Sequence, residues 1–105
     1  MKQTPYEYAL YILARTPKTV SMMTHQLLKK WYTYDQTERT IHKLTQENYL
    51  NDEAFCEAYI RSEVINKWRS INVTKKKLYA KGMPDEIVES TLADLDEEID
   101  EVKLS

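Results

Sequence analysis

The sequence predicts an all-α protein built as two tandem three-helix repeats forming a small curved solenoid-like bundle. Three observations carry this expectation. One glycine and three prolines in 105 residues leave too few turn formers for a sheet protein of this length. Apolar residues recur three and four apart along most of the chain, the spacing of one helix face. The second half of the chain also repeats the pattern of the first. With 42% hydrophobic and 30% charged residues, the chain has the composition of a soluble domain, long enough for one core or for two small modules sharing one.

The elements follow in order. Thr4-Pro5-Tyr6-Glu7 reads as a helix start, with Thr4 as cap, Pro5 at the first helical position and Glu7 closing a capping box. Tyr6, Ala9, Leu10 and Leu13 then give its apolar stripe, and Pro17 ends it. Thr19 caps a second helix whose inner face is Val20, Met23, Leu27 and Trp31 at three- and four-residue steps. A third begins near Thr33 or Asp35, turns Thr37, Ile41 and Leu44 inward, and breaks between Asn48 and Asp52. The fourth runs from Asp52 to about Trp68 with Phe55, Ala58, Tyr59, Ser62 and Ile65 on one side. Ser70 caps a fifth, carrying Ile71, Thr74 and Leu78, which Lys81-Gly82 closes. Pro84 and Asp85 open a sixth, with Val88, Leu92, Leu95, Ile99 and Val102 as a narrow seam. Its acidic last turns oppose the negative helix end, so fraying is expected there.

Shifting the chain by 51 residues sets Leu27 on Leu78, Lys30 on Lys81, Tyr32 on Met83, Thr37 on Val88, Ile41 on Leu92 and Leu44 on Leu95. A period of this size signals stacked helical units. The expected division is residues 1–50 for the first repeat and 51–105 for the second with its acidic tail.

Charge is unevenly spread. Residues 61–83 hold Arg61, Lys67, Arg69, Lys75, Lys76, Lys77 and Lys81 against Glu63 alone, whereas the acids after residue 83 face only Lys103. The basic block suits phosphates, because lysine and arginine displace condensed counterions, and Trp68 within it suits stacking on a base. The competing reading is a solvated helix face. Other chemistry is thin. His25, His42 and Cys56 match no zinc spacing, one glycine cannot build a phosphate loop, and no carboxylate pair stands out. No enzyme activity, metal or cofactor is therefore expected. Cys56 reads as a small buried hydrophobe and the histidines as surface or boundary residues. A single cysteine, no apolar run long enough to cross a bilayer and no leader pattern in Met1–Pro5 point to a cytoplasmic protein without membrane contact. Of the eight tyrosines, Tyr32, Tyr34 and Tyr79 are the best candidates for a partner-facing surface.

Several segments resemble the RecX family. Leu13-Ala14-Arg15 and the basic-plus-hydroxyl turn Lys18-Thr19 are similar to its first repeat. Asn48-Tyr49-Leu50-Asn51-Asp52-Glu53-Ala54-Phe55-Cys56 resembles its junction pattern Gly-Tyr-Leu-Asp-Asp-x-x-Phe-Ala. Tyr59-Ile60-Arg61-Ser62, Lys77-Leu78-Tyr79-Ala80-Lys81-Gly82 and Ile87-Val88-Glu89-Ser90-Thr91-Leu92 resemble its second repeat. The likeness covers about residues 8–95. Asn48 and Asn51 are mild departures, and Ser70–Thr74 matches poorly. Trp31 stands where the family has the glycine found here at Gly82, and tryptophan resists the left-handed backbone that glycine adopts, which implies a different ending for that helix. The family's third repeat has no counterpart in these residues, so a short form is expected.

The resemblance implies a non-enzymatic regulator of a RecA-type recombinase, acting in DNA repair and the SOS response. It implies binding in the groove of the nucleoprotein filament, with limits on filament growth, ATP hydrolysis and strand exchange. Arg15, Lys18 and the seven cations of 61–81 are the expected filament- or DNA-binding face, with Trp68, Tyr32, Tyr34 and Tyr79 as aromatic contacts. The expected partners are the recombinase filament and single-stranded DNA, bound by a monomer. The acidic tail is a candidate shield for the basic face. Two other readings stand beside this one: a small helical DNA-binding module acting in transcription, and a protein–protein adaptor docking through its aromatic face.

Overall fold

The computed structural model describes residues 3–104, the side chains of 103 and 104 excepted. Residues 1 and 2, part of the leader reading above, and residue 105 at the end of the acidic tail lie outside them. The described residues form helices α1 (Pro5–Arg15), α2 (Val20–Lys29), α3 (Tyr34–Gln46), α4 (Asp52–Ile60), α5 (Ile71–Ala80), α6 (Asp85–Asp94) and α7 (Asp96–Leu104), with no strand among them. A π-helical turn, Arg61–Asn66, continues α4 directly. The all-α class expected from composition and periodicity is the observed one.

The chain divides into two compact units, Met1–Asn51 and Asp52–Ser105. In the first, α1–α3 enclose Ala9, Ile12, Met23, Leu27, Leu44 and Leu50. In the second, the remaining helices enclose Cys56, Ile60, Val64, Leu78, Met83, Val88, Leu95 and Ile99.

Four helix starts follow the sequence through a side chain that satisfies a free N–H group of the first turn, whereas α6 opens at Pro84 without a side-chain cap. Thr4 and Glu7 form the capping box, each side chain accepting from the other's backbone N–H at 3.1 Å. Thr33 and Gln36 form a second one at the head of α3. Thr19 and Ser70, one repeat apart, cap α2 and α5.

Helix ends explain the repeat. Lys30 and Lys81 are C-caps with φ −82° and −86°, both at ψ 5°. The next residues, Trp31 and Gly82, take φ 75° and 77°. Beyond them, Tyr32 N–H donates to the Leu27 carbonyl at 3.3 Å and Met83 N–H to the Leu78 carbonyl at 3.1 Å. This is the Schellman closure, which satisfies orphan carbonyls by one left-handed residue. The expectation that α2 ends differently because of Trp31 is therefore wrong: tryptophan adopts the glycine conformation, held by the flanking bonds. Asn48, at φ 64°, closes α3 the same way, with Tyr49 N–H donating to the Leu44 carbonyl at 2.8 Å.

The inner faces differ from the sequence reading in four places. Trp31 is not a core residue but 92% exposed, because the left-handed turn takes it off the α2 register. In α1 the buried pair is Ala9 and Ile12, with Leu10 and Leu13 half-buried. Along α4 and the π turn the buried line is Cys56, Ile60 and Val64, and Ala58 is exposed. Phe55 and Tyr59 instead stack on each other, 6.1 Å apart and 10° from parallel, at the core margin where the phenol keeps access to water. The sixth helix is interrupted at Leu95 (φ −97°, ψ 5°), giving α6 and α7, although Val88, Leu95 and Ile99 are all buried as the seam requires.

The Tyr6 hydroxyl donates to Glu47 at 2.6 Å, joining the start of α1 to the end of α3. That bond, then burial and the carboxylate charge, push the phenol up from 10.0 to about 12. A raised pKa means the contact stabilises the fold fully below pH 10 and is lost as pH rises through about 12. Thermal unfolding of the native chain and of Tyr6→Phe should therefore differ by a constant amount below pH 10 and converge towards pH 12. Leu27→Ala and Leu78→Ala should each cost about 2–5 kcal/mol in denaturant unfolding, since each empties a sealed core position.

Candidate filament and nucleic-acid interface

The expected cations occupy both units. Arg15 and Lys18 belong to the first; Arg61, Lys67, Arg69, Lys75, Lys76, Lys77 and Lys81 belong to the second. Within the second unit the fold brings carboxylates to four of them. Arg61, on the π turn, makes a two-pronged contact with Glu98 of α7 at 2.5 and 3.1 Å and also donates to Glu57 of α4 at 3.1 Å. Both acids push its pKa up, Glu98 first. Arg69 lies 2.9 Å and Lys67 3.8 Å from Glu63, and the Arg69 N–H donates to the Glu63 carbonyl. Lys75 pairs with Glu89 of α6 at 2.8 Å, which raises the ammonium pKa.

The net charge of the 61–83 segment thus overstates its free charge. Glu57, Glu89 and Glu98 lie outside that segment and return to it in three dimensions. Arg61 in particular stands in an open groove of about 550 Å³ among Glu53, Glu57, Glu86, Asp94 and Glu98, a setting that repels phosphate.

Two lysines escape this pairing: Lys76 and Lys77 are exposed on α5 and make no ion pair among the described residues. Three consecutive residues on a helix point 100° apart, so Lys75 facing Glu89 turns its two neighbours to other sides. Lys81 lies over the Tyr59 ring, 5.6 Å from its centre. Arg15 lies over Tyr11 at 5.4 Å and donates to its hydroxyl at 2.6 Å. Lys18 is half-buried.

The aromatic candidates separate as well. Tyr34 is 73% and Trp68 59% exposed. Trp68 takes φ 60° where the π turn ends, followed by the Arg69 bond to Glu63. Tyr79 is bound to Asp85 through its hydroxyl at 2.5 Å, which pushes the phenol up. Tyr32 is half-buried, donating to the Gln3 carbonyl at 2.8 Å.

Sequence reasoning named Arg15 and Lys18 but missed two other cations of the first unit. Lys30 lies over Tyr8 at 5.1 Å and Lys43 over Tyr6 at 4.3 Å. Neither is paired with a carboxylate among the described residues. Nor did the sequence single out Trp31 as a surface ring. A signal existed: the residue aligned with Gly82 must lie outside the helix.

The histidines and Cys56 are placed as expected. His25 and His42 are exposed, and Cys56 is fully buried, where desolvation raises its pKa. Among the described residues no three His, Cys, Asp or Glu side chains gather as metal ligands, and no helix is long and apolar enough to cross a membrane.

Fold and surface together define a helical-repeat protein with exposed aromatic rings and with cations partly paired to its own carboxylates. No protein-family model matches the chain. It is 33% identical over 87 residues to the regulatory protein RecX of Mycolicibacterium smegmatis, covering 83% of this chain and 46% of that protein. It is 31% identical over 96 residues to RecX of Geobacillus kaustophilus, covering 90% and 36%. The crystal structure of RecX from Lactobacillus salivarius superposes with a TM-score of 0.83 at 27% identity, over 90% of this chain and 62% of that one. The chain belongs to the RecX family of regulatory proteins, and it spans less than half the length of the two curated relatives named here.

The Glu98–Arg61 contact is half-buried at the surface and within reach of salt screening. Glu98→Gln should lower the melting temperature at low ionic strength and have a smaller effect in 1 M salt (Debye length about 3 Å), measured by circular dichroism.

Proposed function

We propose that this chain regulates a RecA-type recombinase by lying in the groove of its filament on single-stranded DNA. There it limits filament growth, ATP hydrolysis and strand exchange. It acts as a cytoplasmic monomer, by binding alone and without a cofactor. The observation that supports this reading most is the likeness to RecX proteins across 90% of the chain in three dimensions, because a helical repeat presents a long surface to a repeating partner.

The contact is assigned first to Lys76 and Lys77, which carry charge uncompensated by carboxylates, and second to the exposed rings of Tyr34 and Trp68. Arg15 and Lys18 contribute from the first unit. Arg61, Lys67, Arg69 and Lys75 contribute by exchanging carboxylate for phosphate or for an acidic recombinase surface, and Lys81 by leaving the Tyr59 ring. Glu98, leaving Arg61, is the acidic-tail shield in this scheme. A transcriptional DNA-binding module fits less well, since α6, the helix after the second repeat's turn, begins Asp85-Glu86 and carries no cation.

The test is DNA-stimulated ATPase of a RecA-type recombinase with and without the chain. The expected result is a concentration-dependent fall in rate. Lys76→Glu/Lys77→Glu should weaken the effect about tenfold or more, and rising salt should weaken the native chain too. An unchanged rate at saturating chain contradicts the proposal.

A further inference from the structure

Trp31 is held in a conformation that its own side chain opposes, and it gains no burial in return. The second repeat supplies a control within the same molecule: Gly82 closes α5 at φ 77° as Trp31 closes α2 at φ 75°. At Gly82 the left-handed backbone is free of the Cβ clash; at Trp31 it is not. A buried indole would repay the clash by hydrophobic transfer, yet this one is 92% exposed, the highest value among the exposed large hydrophobics. A glycine would therefore serve the fold better at residue 31. A surface ring on strained backbone points to a partner.

The surroundings select the partner's chemistry. Trp31 borders an open groove of about 760 Å³ lined also by Thr4, Pro5, Lys30, Tyr32 and Gln36. No carboxylate among the described residues lines it. Among the described residues its one charge is the Lys30 ammonium, which rests over the Tyr8 ring, and Tyr8 lies 6.2 Å from Tyr32. An ammonium beside the indole disfavours a cationic side chain as the occupant. It favours a group that joins a flat ring to a negative charge. A nucleotide of a single strand is such a group: the base stacks on an aromatic face without regard to sequence, and the phosphate pairs with lysine.

We propose that the first repeat binds single-stranded nucleic acid directly, one base stacking on the exposed face of Trp31 while the adjoining phosphate pairs with Lys30. This site is separate from the 61–81 cations and needs no recombinase, so it stands or falls apart from the function proposed above. The Lys30 ammonium leaves the Tyr8 ring or bridges ring and phosphate. Stacking inside a duplex covers both faces of each base, so single strands bind more tightly than duplex.

The experiment is fluorescence polarisation of a labelled oligothymidylate with the full chain and no recombinase, alongside a duplex of equal length. The native chain should prefer the single strand. Trp31→Gly should lower single-strand affinity about tenfold while keeping or raising the melting temperature, because it installs the Gly82 geometry. Trp31→Phe should retain part of the affinity, and Lys30→Gln should reduce the salt slope by about one. Unchanged single-strand affinity in Trp31→Gly overturns the proposal. If that variant also loses its effect on a recombinase, the ring is a protein contact instead. Loss of melting temperature in Trp31→Gly would equally overturn it, by showing that the indole serves the fold.

Discussion

One constraint organises both units: a helix must stop within a single residue so that the chain can turn back and seal a leucine beneath it. Leu27 and Leu78 each lose all contact with water, and each offers its carbonyl to the residue five positions on. The left-handed residue between them makes this possible, since it reverses the chain without leaving carbonyls unpaired in a core margin. The caps at Thr33 and Pro84 follow two residues later in both repeats, so α3 and α6 start from the same place relative to the helix before. Buried Leu44 and Leu95, one repeat apart, fill the same position opposite. The threonines at 40 and 91 agree as well, each hydroxyl donating to the carbonyl four residues back, at 2.8 and 2.7 Å.

A second theme is that this fold neutralises its own cations selectively. In the second unit, carboxylates from α4, α6 and α7 reach Arg61 and Lys75, and Glu63 serves Lys67 and Arg69. In the first, Arg15, Lys30 and Lys43 rest on tyrosine rings, where the quadrupole attracts them without cancelling their charge. Arg39 instead pairs with Asp35 at 3.2 Å across one exposed turn. The segment richest in lysine and arginine is thus the one whose charge is most spent inside the molecule. At Arg61, Lys67, Arg69 and Lys75 phosphate must compete with acids already in place, while at Lys30 it meets only an aromatic face.

Local features of the fold were legible because they depend on neighbours in sequence. Thr4 with Glu7, Thr19, Ser70 and Gly82 each act within one helical turn, and each closes or opens a helix where the residues place it. The repeat offset was legible for the same reason. What failed needed three dimensions. Trp31 fits the three- and four-residue stripe of Val20, Met23 and Leu27, and nothing in the stripe records that the helix has already ended at Lys30. The buried line of α4 rotated by one residue because Phe55 and Tyr59 satisfied each other at the margin. The pairing of Glu57 with Arg61 lay within reach of sequence spacing, whereas Glu98 meets Arg61 from 37 positions away, and only the packing of α7 on the π turn joins them.

The most direct measurement is the backbone angle of Trp31 in solution. In a nuclear magnetic resonance spectrum, a positive φ brings the residue's own amide and Hα protons close and gives a strong intraresidue NOE. The account predicts that strong signal at Trp31 and an equivalent left-handed signature at Gly82. A weak signal, as expected of a residue still in a right-handed helix, would contradict it: the two repeats would then close differently, and the exposed indole would have no backbone strain to explain.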